Sequence, residues 1–531
     1  MILAGLTRRK AGGNGARYNM QGSTLAPDRA ATAHQTAEFT MKPVSPSALV
    51  LRASLVTAFM ALSGPVHAVD RTAPAPASAE NSSQRVIFTA CHDNIGCEPW
   101  ITDGTRAGTG LLRRLGRGER DSRPGAYTDL GDGRVAFNAN PPFAASSFPR
   151  APYITDGTRP GTELVWRMPS RHNSPGLFTA TGDGRYVFRT SFYRNRWMQA
   201  VWVSDGTRDG TILLRSFDAP TSAHYPGSFT QLRSGVVLFV VNDGRRGREL
   251  WGTDGTRAGT RPVINLTGDS NSSSPNRLTR IAEGLVVFVA DDGVHGEQLW
   301  ATDGTRQGTT MLTQHDAEAS DLRPAHITAL GDGQAMFTTG DGELWITDGT
   351  AAGTRIFTDP EHRRRPRNPA GFTPIGDGRV LFSAELPSGE IRLWVTDGTA
   401  EGTQVVRRVE AHYRAEHMRA LGDGRVVFWQ YHESHQHYAL WVSDGTREGT
   451  RRVRRFPELS WIHDDLRASM TSLGNGLALF PYDNGRMGWE PWVTDGTGPG
   501  TRVLRNISRT GHSMPSDVGF QFTPFRMVQP D

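Results

Sequence analysis

The 531-residue chain holds 59 basic and 54 acidic side chains, 60 glycines, 32 prolines and only two cysteines. That much glycine and proline suits a fold of many tight turns and counts against a helical one. The first 68 residues, with seven basic and two acidic side chains, supply the whole net charge of +5; the neutral remainder lacks the electrostatic footprint of a nucleic-acid-binding protein.

Residues 1–40 show neither helical nor strand periodicity and read as a misassigned or disordered N-terminal extension, with Met41 the expected true start. Residues 41–68 read as a signal peptide: a basic start at Met41-Lys42, an apolar run from Ala53 to Leu62, and a small-residue end at Val66-His67-Ala68. The run is too short for a bilayer span, which takes about 20 residues. An exported protein is expected (periplasmic, cell-surface or extracellular), monomeric and without a membrane span. Residues 69–83 read as a linker. Cys91 and Cys97 flank a five-residue polar stretch. In an oxidising compartment such a pair reads as a disulfide, whereas two thiols supply only half of a tetrahedral metal site.

From residue 84 to 531 the sequence is a repeat. Asp-Gly-Thr-x-x-Gly-Thr begins at Asp103, Asp156, Asp205, Asp254, Asp303, Asp348, Asp397, Asp444 and Asp495, with spacings of 45 to 53 residues. Each copy is framed by four short runs rich in Val, Ile, Phe, Trp and Thr, separated by Gly, Asp and Asn clusters, as strands of an antiparallel meander are. Phe229–Leu232, Val236–Val241, Glu249–Thr253 and Val263–Leu266 illustrate the set. Gly-Asp-Gly turns supply the positive φ angles of tight hairpins, and in the Asp-Gly-Thr segment the Asp side chain is suited to accept from nearby amides. That segment is expected to be structural. Trp stands three residues before the Asp in eight copies and Tyr153 in the second; a Phe recurs in each second strand. Rings at fixed positions predict packing between sheets.

Four strands in about 49 residues match the scale of a propeller blade. The first unit lacks its leading strand, and Phe520–Phe525 at the other end has that strand's pattern. An all-β propeller of nine four-stranded blades, closed by the C-terminal strand, is therefore expected. A smaller propeller with extra repeats, or an open β-solenoid, is the alternative.

Glu343–Thr354, which reads Glu-Leu-Trp-Ile-Thr-Asp-Gly-Thr-Ala-Ala-Gly-Thr, resembles the signature of the ELWxxDGT repeat proteins, as does Glu249–Thr260. The resemblance covers all nine units. It implies a bacterial, exported repeat protein and assigns no chemistry.

No nucleophile elbow, zinc-protease helix or phosphate loop is present. His432, His435 and His437, with Glu433, form a hairpin tip whose imidazoles could hold zinc or copper, though the spacing matches no standard ligand set. Oxygen-rich tips at Asn242-Asp243, Asp291-Asp292 and Asp483-Asn484 could hold calcium, but each supplies fewer than the six to eight oxygens it takes. No catalytic residue is assigned. The expectation is a non-enzymatic scaffold binding a protein or a glycan through loops between the blades, with a propeller-type glycan hydrolase or lyase as the alternative.

Overall fold

A computed structural model describes residues 84–116, 121–142, 150–169, 172–218, 226–314, 322–331, 333–357, 366–408, 416–432, 437–457, 470–508, 513 and 522–527. The expected extension, signal peptide and linker lie outside these residues. The described residues contain strands and turns and no helix. They form nine four-stranded antiparallel sheets, the blades of one closed propeller.

In blades 2 to 9 the strands follow one another in chain order. Blade 4 is typical: Gly227–Arg233, Val236–Asn242, Arg248–Thr253 and Arg261–Ile264. Leading strands of successive blades touch one another around the ring, which makes them the innermost. Blade 1 is built from both ends of the repeat region. Its order runs from Phe522–Arg526 at the axis through Gln84–His92 and Gly96–Thr102 to Gly110–Leu111. Phe522 pairs with Phe88, Thr523 with Ile87 and Pro524 with Val86. The ring is thus closed by hydrogen bonds, as the sequence pattern leads one to expect, and neither a solenoid nor a smaller ring is formed.

Burial explains the composition of the middle strands. Val237 to Val241 are all completely buried, because each blade is covered on both faces by its neighbours. Leu238, Val240 and Leu250 of blade 4 pack on Val286, Phe288 and Trp300 of blade 5. Val86, Phe88 and Trp100 of blade 1 meet Leu479, Val493 and Leu504 of blade 9 in the same way. The recurrent Phe and Trp are cross-strand partners, as Phe239 and Trp251 show with ring centroids 6.2 Å apart. Tyr153 takes the Trp place opposite Phe137 at 5.4 Å.

The Asp-Gly-Thr-x-x-Gly-Thr segment is the turn between third and fourth strands, and every named residue has a task. In blade 4, Asp254 Oδ1 accepts from the Thr256 amide (2.9 Å) and hydroxyl (2.7 Å). Thr256 Oγ1 accepts from the Gly259 amide (3.0 Å), while the Thr260 hydroxyl donates to the Thr256 carbonyl (2.6 Å). Gly255 sits at φ +82, and a Cβ on Gly259 would lie 2.1 Å from the Asp254 carboxylate. A side chain at either place is excluded, by backbone conformation in one and by contact in the other.

The turn is also a joint between blades. Arg215, on the outer strand of blade 3, lies 4.9 Å from the Trp251 ring centroid of blade 4 and donates to the Thr260 carbonyl (3.2 Å). Arg407 and Arg454 repeat this on Trp441 and Trp492, donating to Thr450 O (2.8 Å) and Thr501 O (2.7 Å). Arg505 of blade 9 reaches Trp100 and the Thr109 carbonyl of blade 1. Near the axis a second arginine does similar work. Arg134, paired with Asp132, donates to the Asp205 carbonyl of the next blade (2.9 Å), and Arg185 and Arg379 donate to those of Asp254 and Asp444 (both 3.2 Å).

Two predictions follow from this joinery. Deleting residues 519–531 removes the innermost strand of blade 1 and bares Phe88 and Leu473; loss of a single cooperative melting transition, or aggregation, is expected, and an unchanged melt would mean the seam carries no weight. Arg454→Ala removes a cation–π contact and a hydrogen bond at once, and should lower stability by about 1–2 kcal/mol in denaturant titration.

Candidate ligand-binding mouth of the axial channel

The residues singled out in the sequence divide by place. The nine Asp residues sit one per blade and do not converge. Each caps its own turn, and donation from the following threonine holds Asp254, Asp348 and Asp397 below the usual carboxylate range. Cys91 and Cys97 are cross-strand partners joined by a disulfide, with Cα atoms 3.8 Å apart. The tip they fasten is tied to blade 9: the Cys91 amide donates to Ser513 O (2.6 Å), and the Ser508 hydroxyl to Asp93 (2.6 Å).

His432 and His437 are backbone partners in the blade 8 hairpin, while Glu433 and His435 lie outside the described residues. Among the described residues no group of three or more His, Cys, Asp or Glu is placed to hold a metal. The oxygens of the acidic tips serve their own turns. Asn242 accepts from Gly244, Asp291 from Gly293 and Asp483 from Gly485, at 2.8, 2.7 and 2.8 Å.

The Glu of the Glu-x-Trp signature has a structural use too. Glu98, Glu249 and Glu490 are fully buried. Glu249 accepts from the Ser273 amide (2.8 Å) and hydroxyl (2.5 Å) and the Leu266 amide (3.3 Å), so it gathers the loop leading to blade 5. Glu98 holds Leu115, Gly116 and Ser122 in the same manner. Glu490 holds Ile507, Ser508 and Ser513. A buried carboxyl repeated in three blades, each filled by its own loop, anchors a connection and has no access to substrate.

The sequence reading passed over a different ring of residues. Five innermost strands follow a buried proline, Pro124, Pro175, Pro226, Pro275 and Pro324, and a sixth holds one near its start, Pro369. Each has a bulge in its register, as between Gly125 and Thr128. Two residues after the proline the backbone is left-handed, at Ala126 (φ 54), Leu177 (54), Ser228 (52), Arg277 (53) and His326 (51), with Gly371 at 72. His417 (58) holds the equivalent place in blade 8. Arg123, Ser274, Arg323 and Asn368, each just before its proline, are left-handed as well, at φ 44 to 48.

A left-handed non-glycine residue costs about 1–2 kcal/mol, and only one of these places uses the cheap solution. Leu177, Ser228, Arg277, His326, Arg123 and Arg323 are exposed although they belong to or enter the innermost strands. They front the axial channel at the end where the hairpin tips lie, because strands alternate in direction. Deeper in, threonines stitch strand to strand: Thr128 donates to Phe178 O (3.0 Å) and Thr471 to Phe522 O (3.1 Å). The mouth is therefore a fixed frame carrying a different side chain on each blade, with Arg123, Arg277, Arg323, His326 and His417 giving it a basic bias. The repeated Pro-x-x-apolar-Thr pattern was the available sequence signal.

No family profile matches the sequence, and no curated protein matches it. Similar solved structures include a puromycin hydrolase variant complexed with PGG (15% identity, TM-score 0.32, covering 68% of this chain and 59% of that one). A puromycin-hydrolysing peptidase of Mycobacterium tuberculosis (13%, 0.35, 68% and 59%) and prolyl oligopeptidase B of Galerina marginata (10%, 0.36, 68% and 56%) are others. The chain thus spans less than two thirds of the length of these peptidases. They run against the expectation of a non-enzymatic scaffold binding through inter-blade loops, and that expectation is set aside. At these identities and TM-scores they lend this chain no activity, substrate or catalytic residue. No helix among the described residues is long and apolar enough to cross a membrane.

Burial pushes the Glu490 carboxyl up to about 7, against the donation it receives from Ile507, Ser513 and Ser508. Protonation also resolves a local conflict, since the single Ser513 hydroxyl proton faces both Trp489 O and Glu490. The folded protein therefore holds this proton more tightly than the unfolded chain. The associated stability is whole below about pH 4.5 and is lost as pH rises through about 7. Between pH 5 and 8 the melting temperature should fall more steeply for the wild type than for Glu490→Gln. Equal slopes would show that Glu490 does not titrate in this window.

Proposed function

We propose that the protein engages a polyanionic chain at the loop-bearing mouth of its axial channel. The observation that carries this reading is the ring of left-handed positions. The backbone there is the same in blade after blade, while the side chains differ: Ala126, Leu177, Ser228, Arg277, His326, Gly371, His417. Variable side chains on a rigid, costly frame are what a recognition surface needs, and a frame serving packing alone would be satisfied by glycine throughout. Basic groups spread over blades 2, 5, 6 and 8 match a ligand with several negative charges better than a compact one. The leader at 41–68 and the disulfide support an exported protein meeting this ligand outside the cytoplasm, and the Glu-Leu-Trp-x-x-Asp-Gly-Thr signature supports placing it among the ELWxxDGT repeat proteins.

The test is binding of fluorescein-labelled polygalacturonate and poly-L-glutamate at low salt. The wild type should bind at least one, with affinity falling as salt rises. Arg277→Ala combined with Arg323→Ala should weaken binding at least tenfold and flatten the salt dependence. Failure of both probes to bind, or full affinity in the double variant, overturns the reading. Chain length of the probe after incubation registers hydrolysis in the same tube.

A further inference from the structure

Blade 3 departs from its sisters on the face that carries the mouth. In blades 4, 5 and 9 the central hairpin ends at Asn242–Arg248, Asp291–Glu297 and Asp483–Trp489. In blade 3 the equivalent pair is Ser191–Gln199, and the ladder runs on through Phe192–Met198 to Tyr193–Trp197. Two further pairs carry this tip about 7 Å beyond the others at the usual rise per residue.

The added length ends in two exposed rings. Tyr193 is 54% exposed and Trp197 45%, and they meet edge to face with centroids 5.7 Å apart. Exposed cross-strand aromatics do stabilise a hairpin. The tips of blades 4, 5 and 9 manage with polar turns, however, so an extension of this length is not needed to close a blade. The tip is also buttressed from both sides. Asp218 and Phe217 of the outer strand pair with Met198 and Gln199, and Phe192 stacks on the buried His172 ring at 4.9 Å. Behind them Trp166 packs on Trp202 at 5.0 Å. Arg194 and Arg196 are exposed between the two rings in sequence, and Arg196 pairs with Asp218 at 3.0 Å. On the same face, Leu177 of this blade's innermost strand is 44% exposed.

We infer that the Tyr193–Trp197 pair is a carbohydrate-stacking platform, and that the polyanion taken at the mouth is an acidic polysaccharide. This rests on the reading of the mouth given above. Edge-to-face contact leaves ring faces open, and an open, rigid indole face suits the C–H face of a pyranose. A rigid aromatic pair also loses little side-chain freedom on binding. The flanking guanidinium groups match carboxylates or sulfates by charge and by planar geometry. An acidic peptide would find the charges but has no regular array of flat apolar faces for the rings.

The experiment uses calorimetry on the full chain with a galacturonate hexamer, a neutral glucan hexamer and hexaglutamate. Trp197→Ala and Tyr193→Ala should each weaken galacturonate binding at least tenfold, with Trp197→Phe intermediate. Melting temperatures should stay near wild type, because both rings are exposed. Should hexaglutamate bind as well as galacturonate, with Trp197→Ala harmless and the Arg277/Arg323 double variant defective, the stacking inference falls and the mouth reading stands. Should Trp197→Ala abolish binding of both hexasaccharides while the double arginine variant is harmless, the platform stands and the mouth reading falls. A Trp197→Phe variant as weak as Trp197→Ala, with an altered melt, would reduce the tip to a structural role and overturn the inference.

Discussion

Everything in this molecule depends on blades covering one another. A four-stranded sheet whose two faces are both apolar has no stable existence in water, and the completely buried run Val237 to Val241 belongs to such a sheet. Each blade therefore requires a neighbour on both sides, and nine such demands are met together only in a closed ring. The pairing of Phe522–Arg526 with Gln84–Phe88 satisfies the last of them.

The signature sequence takes its meaning from that requirement. Asp and Thr fold the turn upon itself, and the two glycines let it close. The first glycine also brings the turn against the blade before it: a Cβ on Gly304 would lie 2.6 Å from Leu232, and one on Gly206 2.5 Å from Ile154. The arginines near the axis and at the rim then seize the carbonyls of the following blade's turn. The motif is thus a joint, local in its own hydrogen bonds and seized from the blade before it, with each blade acting as its neighbour's partner.

The fold was legible because its determinants are periodic. Nine copies of one turn, a Trp or Tyr three residues ahead of each, and a stray strand pattern at Phe520–Phe525 fixed blade count, strand order and closure. The disulfide was legible from the two cysteines alone. The mouth was not, for a left-handed φ at Arg277 or His326 leaves no mark in residue type; glycine, which would have signalled it, stands only at Gly371. Nor was the Tyr193–Trp197 tip, since two aromatics in a strand-like run read as core until the length of the hairpin places them in solvent. The buried glutamates invite the opposite error. Glu490 has the raised pKa of a catalytic acid, and only the repetition of its role by Glu98 and Glu249 shows it to be a loop anchor.

The seam in blade 1 has a mechanical consequence. Gln84 pairs with Arg526 at the edge where both ends of the ring leave the sheet, and the pairs Arg85–Phe525, Val86–Pro524, Ile87–Thr523 and Phe88–Phe522 follow inward. Tension applied between the two ends loads these pairs one after another, as in peeling tape, and never all together as in shear. A ring that resists heat cooperatively would thus open at a small pulling force, at one defined place, with the other eight blades still stacked.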